Sequence, residues 1–238
     1  MISVITVCYN SSFEIVKTIE SLKSQTCKDF EYIVIDGNSS DGTLLKAINS
    51  GIVDKYLSEN DLGIYDAMNK GVKLSSGDYI VFLNADDVFE ANFIEVIYLL
   101  IQNCPDFIYS SVFVQSLKTK KLYIPDIITK DFDFKSMPFP HPGLVVKKSV
   151  FDVVGNFNLK YKYAADLDWI FRLLQIEGLK SLRNIQASVI YTSGGGGNSF
   201  RSLRETIDIV SIYNSSVILK LKLYIIGYLK LIYVKYLL

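Results

Sequence analysis

The feature that most narrows the possible folds is a rhythm in the first part of the chain. Four short runs rich in β-branched and aromatic residues, Ser3–Val7, Glu31–Ile35, Ile52–Leu57 and Tyr79–Leu83, each break off into polar turn residues. The breaks are Tyr9-Asn10-Ser11-Ser12, Asp36-Gly37-Asn38-Ser39-Ser40-Asp41-Gly42-Thr43, Ser58–Gly63 and Asn84-Ala85-Asp86-Asp87. Between them lie stretches with helical spacing: Ile15, Val16, Ile19 and Leu22 on one face of a capped helix, then Ile64–Leu74 and a stretch near Ala91–Asn103. Alternation at these lengths predicts an α/β layered, Rossmann-like fold with a mostly parallel sheet, whose ligands gather at the carboxyl ends of the strands. All four polar breaks fall on that edge.

After Ser110 the rhythm changes. Lys118–Lys121 reads as a hairpin turn, and Pro125–Pro142 carries four of the five prolines and the only histidine, with Phe132, Phe134, Met137 and Phe139 threaded through it. Such a segment predicts a binding loop rather than a linker. Gly143–Val146 and Ala187–Thr192 read as strands and Ala165–Ile176 as a helix. The glycine run Gly194–Gly197 matches neither phosphate-loop pattern and predicts a flap. Residues 1–215 are expected to form one domain. Residues 216–238 form an apolar appendage interrupted by Lys220, Lys222, Lys230 and Lys235, with an unbroken run, Leu223–Leu229, far short of the roughly 20 residues that span a bilayer. It reads either as a membrane-surface segment or as one packed on protein.

Composition removes several classes of function. Lys+Arg and Asp+Glu are both 25, and a net charge of zero argues against nucleic acid as the main partner. Cys8, Cys27 and Cys104 form no C-x-x-C, and with His141 alone there is no imidazole cluster, so any metal is a hard ion held by oxygen. Odd, scattered cysteines and a start at Met1 that leads straight into Ile2–Val7 predict a cytosolic chain without a secretion signal.

Three clusters can carry chemistry. Asn84-Ala85-Asp86-Asp87 can offer hard oxygen ligands to Mn²⁺ or Mg²⁺, or simply form a solvated turn. Asp36 and Asp41 can pair with a base or ribose, or close an Asx-turn. Asp166 and Asp168 open a helix, where a carboxylate serves as a general base or as a cap.

The blocks ISVITVCYN, YIVIDGNSSDGT, SENDLGIYDAMNKGVKLSSGDYIVFLNADD and AADLDWIFRLL, in this order, resemble bacterial family 2 inverting glycosyltransferases of the GT-A fold, of the kind that build O-antigen, capsule or exopolysaccharide. The resemblance runs from about Ile2 to Tyr191. It implies a nucleotide-sugar donor, UDP-linked, a lipid-linked saccharide acceptor, and work at the inner face of the cytoplasmic membrane. It puts Thr6, Tyr9 and Asn10 beside the nucleotide, Asp36 on the base, and Ser39 and Asp41 near the same pocket. Asn84-Ala85-Asp86 becomes the D-x-D-type motif with Asp86 as chief ligand of Mn²⁺ or Mg²⁺, and Asp166 the general base. His141 and Asp168 are weaker candidates for holding the acceptor or a phosphate. Asn84 and Ala165 depart from the family, which usually has Asp and Glu there. The alternatives are a sugar nucleotidyltransferase, for which Tyr9-Asn10-Ser11-Ser12 lacks a triphosphate loop, and a non-catalytic nucleotide-sugar-binding membrane scaffold.

Overall fold

The computed structural model describes residues 1–115, 119–129, 132–192, 199–214, 216, 218–219, 221–225 and 227. In chain order the elements are β1 (Ile2–Cys8), α1 (Glu14–Lys23), β2 (Phe30–Asp36), α2 (Thr43–Asn49), β3 (Lys55–Ser58), α3 (Ile64–Leu74), β4 (Tyr79–Phe82) and β5 (Val88–Phe89). They continue with α4 (Phe93–Ile101), β6 (Phe107–Gln115), β7 (Lys120–Tyr123), β8 (Leu144–Lys147), α5 (Val150–Val154), α6 (Ala165–Leu174), β9 (Ser181–Thr192) and α7 (Phe200–Tyr213).

The strands form one sheet in the order β3-β2-β1-β4-β8-β6-β9-β5, with β7 added to β6. From β3 to β4 every pairing is parallel; β8, β5 and β7 run against the rest. The sheet is therefore mostly parallel, and mixed only where the sequence rhythm changes. β1 is buried along its whole length, which explains why it reads as a mostly apolar, β-branched run rather than an apolar–polar alternation. Its residues alternate between two cores: Ile5 and Val7 belong to the one that α3, α6 and α7 help to build, Val4 and Cys8 to the one that includes residues of α1 and α4. Gly71 lets α3 lie close on the sheet, since a Cβ there would come within 2.5 Å of the Ile5 side chain.

Several boundaries differ from expectation. The strand expected over Ile52–Leu57 is only Lys55–Ser58, because Ile52 and Val53 pack beneath the sheet edge instead of extending it. The strand ending at Thr192 begins six residues before Ala187, at Ser181, paired along β6. Helix α1 has Phe13 at its N-cap with no side-chain cap, and Val16 lies exposed, so Ile15, Thr18, Ile19 and Leu22 make the buried face. The β6–β7 hairpin is present, but residues 116–118 of its turn and the glycine run Gly194–Gly197 lie outside the described residues. In the appendage Leu219 and Leu223 pack against the core, whereas Ile218, Leu221, Tyr224 and Ile225 are exposed. Among the described residues no helix is long and apolar enough to cross a membrane.

Candidate active site

Parallel strands deliver their following loops to one edge, and there two clefts meet. The first, about 380 Å³, is lined by Tyr9, Ser11, Glu14, Asp61, Gly63, Ala85 and their neighbours. The second, about 410 Å³, is lined by Tyr65, Met68, His141, Lys162, Tyr163, Asp166, Tyr191 and Thr192 among others. Ile64, Asn84 and Asp86 belong to both, so the Asn84-Ala85-Asp86 turn after β4 is the wall between them. A larger hollow of about 880 Å³ opens at the opposite, amino end of β6 and β9, bounded by Phe107, Phe134 and Leu173–Gly178, and contains none of these groups.

The two aspartates of the turn differ. Asp87 is fully buried; its carboxylate accepts from the Asn84 amide at 3.2 Å and from the Thr192 N–H at 3.2 Å, and it belongs to the frame. Burial, then the neighbouring Asp86 charge, pushes its carboxyl up to about 7. Asp86 faces the clefts, and burial followed by the Glu14 charge raises its carboxyl too, against its own backbone amide. Among the described residues no lysine or arginine forms an ion pair with either. With its Nδ2 committed to Asp87, Asn84 leaves Oδ1 buried and, among the described residues, without a hydrogen-bond partner. An orphaned amide oxygen beside a carboxylate disfavoured in its charged form fits a hard divalent cation.

In the second cleft, Asp166 Oδ1 accepts from the Tyr65 hydroxyl at 2.9 Å and from the Leu167 N–H at 2.9 Å. Burial, then the Asp166 charge, holds the Tyr65 phenol far above its ordinary pKa, so it stays a donor. Asp166 Oδ2 carries no hydrogen bond among the described residues. His141 is 8% exposed, stacked on Phe82 at 5.5 Å, and burial lowers its pKa against the pull of Asp166, so it faces the cleft as neutral imidazole.

The remaining sequence candidates divide by where their side chains go. Tyr9 is 64% exposed and lines the first cleft. Thr6 is fully buried, its hydroxyl donating to the Leu83 carbonyl at 2.7 Å and accepting from Tyr32, so it ties strands together and does not reach a cleft. Asp36, 1% exposed, accepts from the Ser39 N–H at 3.0 Å and the Ser58 hydroxyl at 2.7 Å. Ser39 accepts from the Asn10 N–H, Asn10 accepts from the Ser40 N–H, and Asp41 accepts from Ser12 and Thr43. Asn10, Ser39 and Asp41 stitch the loop after β1 to the loop after β2, while Asp36 ties the latter to β3, and together they support the floor on which Tyr9 stands. Asp168, by contrast, lies on another face of α6, buried, and pairs with Arg172 at 3.0 Å, which in turn binds the carbonyls of Val154 and Asn156. It lines neither cleft.

Sequence reasoning missed Glu14, Asp61 and Tyr65. Asp61 stands against Gly37, where a Cβ would come within 2.6 Å of its carboxylate. Tyr65 sits inside the GIYDAMNKG block, but a tyrosine at a helix start reads as core.

An α/β sheet with a nucleotide-sized cleft and an acidic turn at its carboxyl edge is the architecture of GT-A sugar-transferring domains. Residues 3–164 match the Glycosyl transferase family 2 pattern, and the chain belongs to that family. Its relatives include a PGL/p-HBAD biosynthesis glycosyltransferase of Mycobacterium tuberculosis, 31% identical over 72% of this chain and 69% of the relative. Another is the amylovoran biosynthesis glycosyltransferase AmsB of Erwinia amylovora, 37% identical over 36% of this chain and 30% of that protein. Among solved structures, S. aureus TarS 1–349 in complex with UDP-GlcNAc superposes with a TM-score of 0.71 at 16% identity, covering 89% of this chain and 65% of that one. A mannosyltransferase of Pyrobaculum calidifontis in complex with GDP-Man and Mn²⁺ gives a TM-score of 0.65 at 14% identity, covering 90% and 64%. This chain thus spans less than two thirds of the length of either solved chain.

Proposed function

We propose that the protein is an inverting glycosyltransferase that moves a sugar from a nucleotide donor, UDP-linked, to a hydroxyl of a lipid-linked glycan in surface-polysaccharide synthesis, working peripherally at the inner face of the bacterial cytoplasmic membrane. The observation that carries this reading is the meeting of two clefts at Asn84 and Asp86, with Asp166 in the second. Relatives named for glycan biosynthesis and a fold neighbour that binds UDP-GlcNAc support the substrate class.

In this reading the nucleotide occupies the first cleft and the acceptor the second. The acceptor oxygen attacks the anomeric carbon from the Asp166 side, the bond to the β-phosphate breaks toward Asp86, and the hydroxyl proton passes to Asp166 Oδ2. A single displacement inverts the anomeric centre. Asp86 and the Asn84 amide oxygen would hold Mn²⁺ or Mg²⁺, which when bound stabilises the charge of the departing diphosphate. Neutral His141 can orient the acceptor through hydrogen bonds.

The test is transfer from a panel of nucleotide sugars, with the product's anomeric configuration read by NMR. Transfer should stop in EDTA and return with Mn²⁺ or Mg²⁺. Asp166→Asn should lose about 10²–10⁴-fold in kcat while keeping nucleotide affinity, whereas Asp168→Asn should fall mainly in thermal stability. Retention of configuration, or an Asp166→Asn enzyme within a few-fold of wild type, would overturn the assignment.

A further inference from the structure

Glu205 lies on α7, beyond the residues matched by the family pattern. Its carboxylate accepts the N–H of Lys162 at 3.0 Å through one oxygen, and those of Tyr163 at 2.7 Å and Ala164 at 3.1 Å through the other. A helix start leaves N–H groups without intrahelical partners, and α6 begins at Ala164 and Ala165, neither of which has a side chain able to cap. Glu205 takes the N–H of Ala164 at the N-cap and those of the two residues before it, so a different helix anchors the segment that leads into α6. α7 can serve as its base because Ser202, Ile207, Ile209 and Val210 are buried.

The clamped amides lie where the chemistry is. Lys162 and Tyr163 line the second cleft, and Asp166 follows on the first turn of α6. We propose that Glu205 is a positioning residue for transfer: by gathering the N–H groups of residues 162–164 it sets the rim of the acceptor cleft and the direction in which α6 presents Asp166 to the Tyr65 hydroxyl. The inference rests on the glycosyltransferase reading above. Hydrogen bonds to a carboxylate are stronger than neutral ones, and a displacement of about 1 Å at a reacting group can cost about 10²-fold in rate.

The experiment compares Glu205→Ala and Glu205→Gln with wild type in the full chain. Its readouts are kcat and KM for transfer, nucleotide affinity by calorimetry, and amide hydrogen exchange over residues 160–167. Glu205→Ala should speed exchange at 162–164 and lower kcat about 10²-fold while nucleotide affinity stays within about twofold. Glu205→Gln keeps an oxygen in place and should lose about tenfold; if the alanine variant does not fold, this variant decides, and an unchanged kcat overturns the inference. So does a variant whose kcat and nucleotide affinity fall in parallel with its melting temperature, because that describes general stability alone. A wild-type chain that transfers no sugar overturns the functional reading and this inference with it, whereas an active wild type matched by Glu205→Ala overturns this inference only.

Discussion

Two hydrogen bonds already end on Oδ1 of Asp166, from the Tyr65 hydroxyl and the Leu167 N–H, so in the proposed mechanism the oxygen left to take the acceptor's proton is Oδ2. Tyr65→Phe should therefore keep the fold, since the ring still packs 5.7 Å from Phe157, but release the carboxylate. A hydrogen bond to a charged group contributes about 1.5–3 kcal/mol, so kcat should fall about 10–10²-fold with nucleotide affinity unchanged. A Phe variant with wild-type kcat would show that the hydroxyl does not orient Asp166. This residue also marks the limit of what the chain reveals. Asp86 and Asp166 were singled out because carboxylates at a strand end and a helix start stand out from their neighbours, and both line the clefts. Tyr65 and Glu205 were not, because their roles arise only when α3 and α7 fold against α6. Thr6 and Asp36 were placed near the right loops, yet whether a polar side chain at a strand end faces a cleft or binds the next loop depends on a loop path that local pattern does not encode.

At the level of elements, the parallel half of the sheet is tied together by one buried carboxylate. Glu31 on β2 pairs with Lys55 on β3 and accepts from Ser3 on β1 and from Ser76 before β4. Burial alone would raise its pKa, but the Lys55 contact, then Ser3 and Ser76, outweigh it and hold the carboxyl at about 2. A folded-state pKa below the ordinary 4.5 means that this stabilisation is fully present above pH 4.5 and is lost as pH falls toward 2. Glu31→Gln should lower the melting temperature at pH 7 and flatten its decline between pH 4.5 and 2; an unchanged slope would show that Glu31 does not set acid stability. The same elements show why the first half of the fold was the readable half. β1, β2 and β4 are buried along almost their whole length and appear as mostly apolar runs, broken within β1 and β2 by Ser3, Thr6 and Glu31. β5 and the early part of β9 were unread, and the antiparallel direction of β8 was not foreseen, because strand pairing at long range leaves little local pattern.

For the molecule as a whole, zero net charge supplies no long-range attraction to an anionic membrane, so the peripheral docking proposed above would rest on a local patch. The appendage provides one: its described residues between 218 and 227 are helical, with Leu219 and Leu223 turned to the core and Ile218, Leu221, Tyr224 and Ile225 turned out beside exposed Lys222. Deleting residues 216–238 would confuse docking with stability, because it also removes the two leucines packed on the core. Leu221→Glu with Ile225→Glu separates them, since both side chains are already exposed in the folded chain. Each such side chain taken fully out of water contributes roughly 1.5–3 kcal/mol, so losing two should weaken binding to vesicles containing anionic lipid by at least about 10²-fold. Melting temperature and transfer to a short soluble acceptor should stay near wild type, while transfer to a lipid-linked acceptor in vesicles falls with binding. Equal vesicle binding by wild type and the double variant, measured by co-sedimentation, would assign the exposed face a role other than membrane docking.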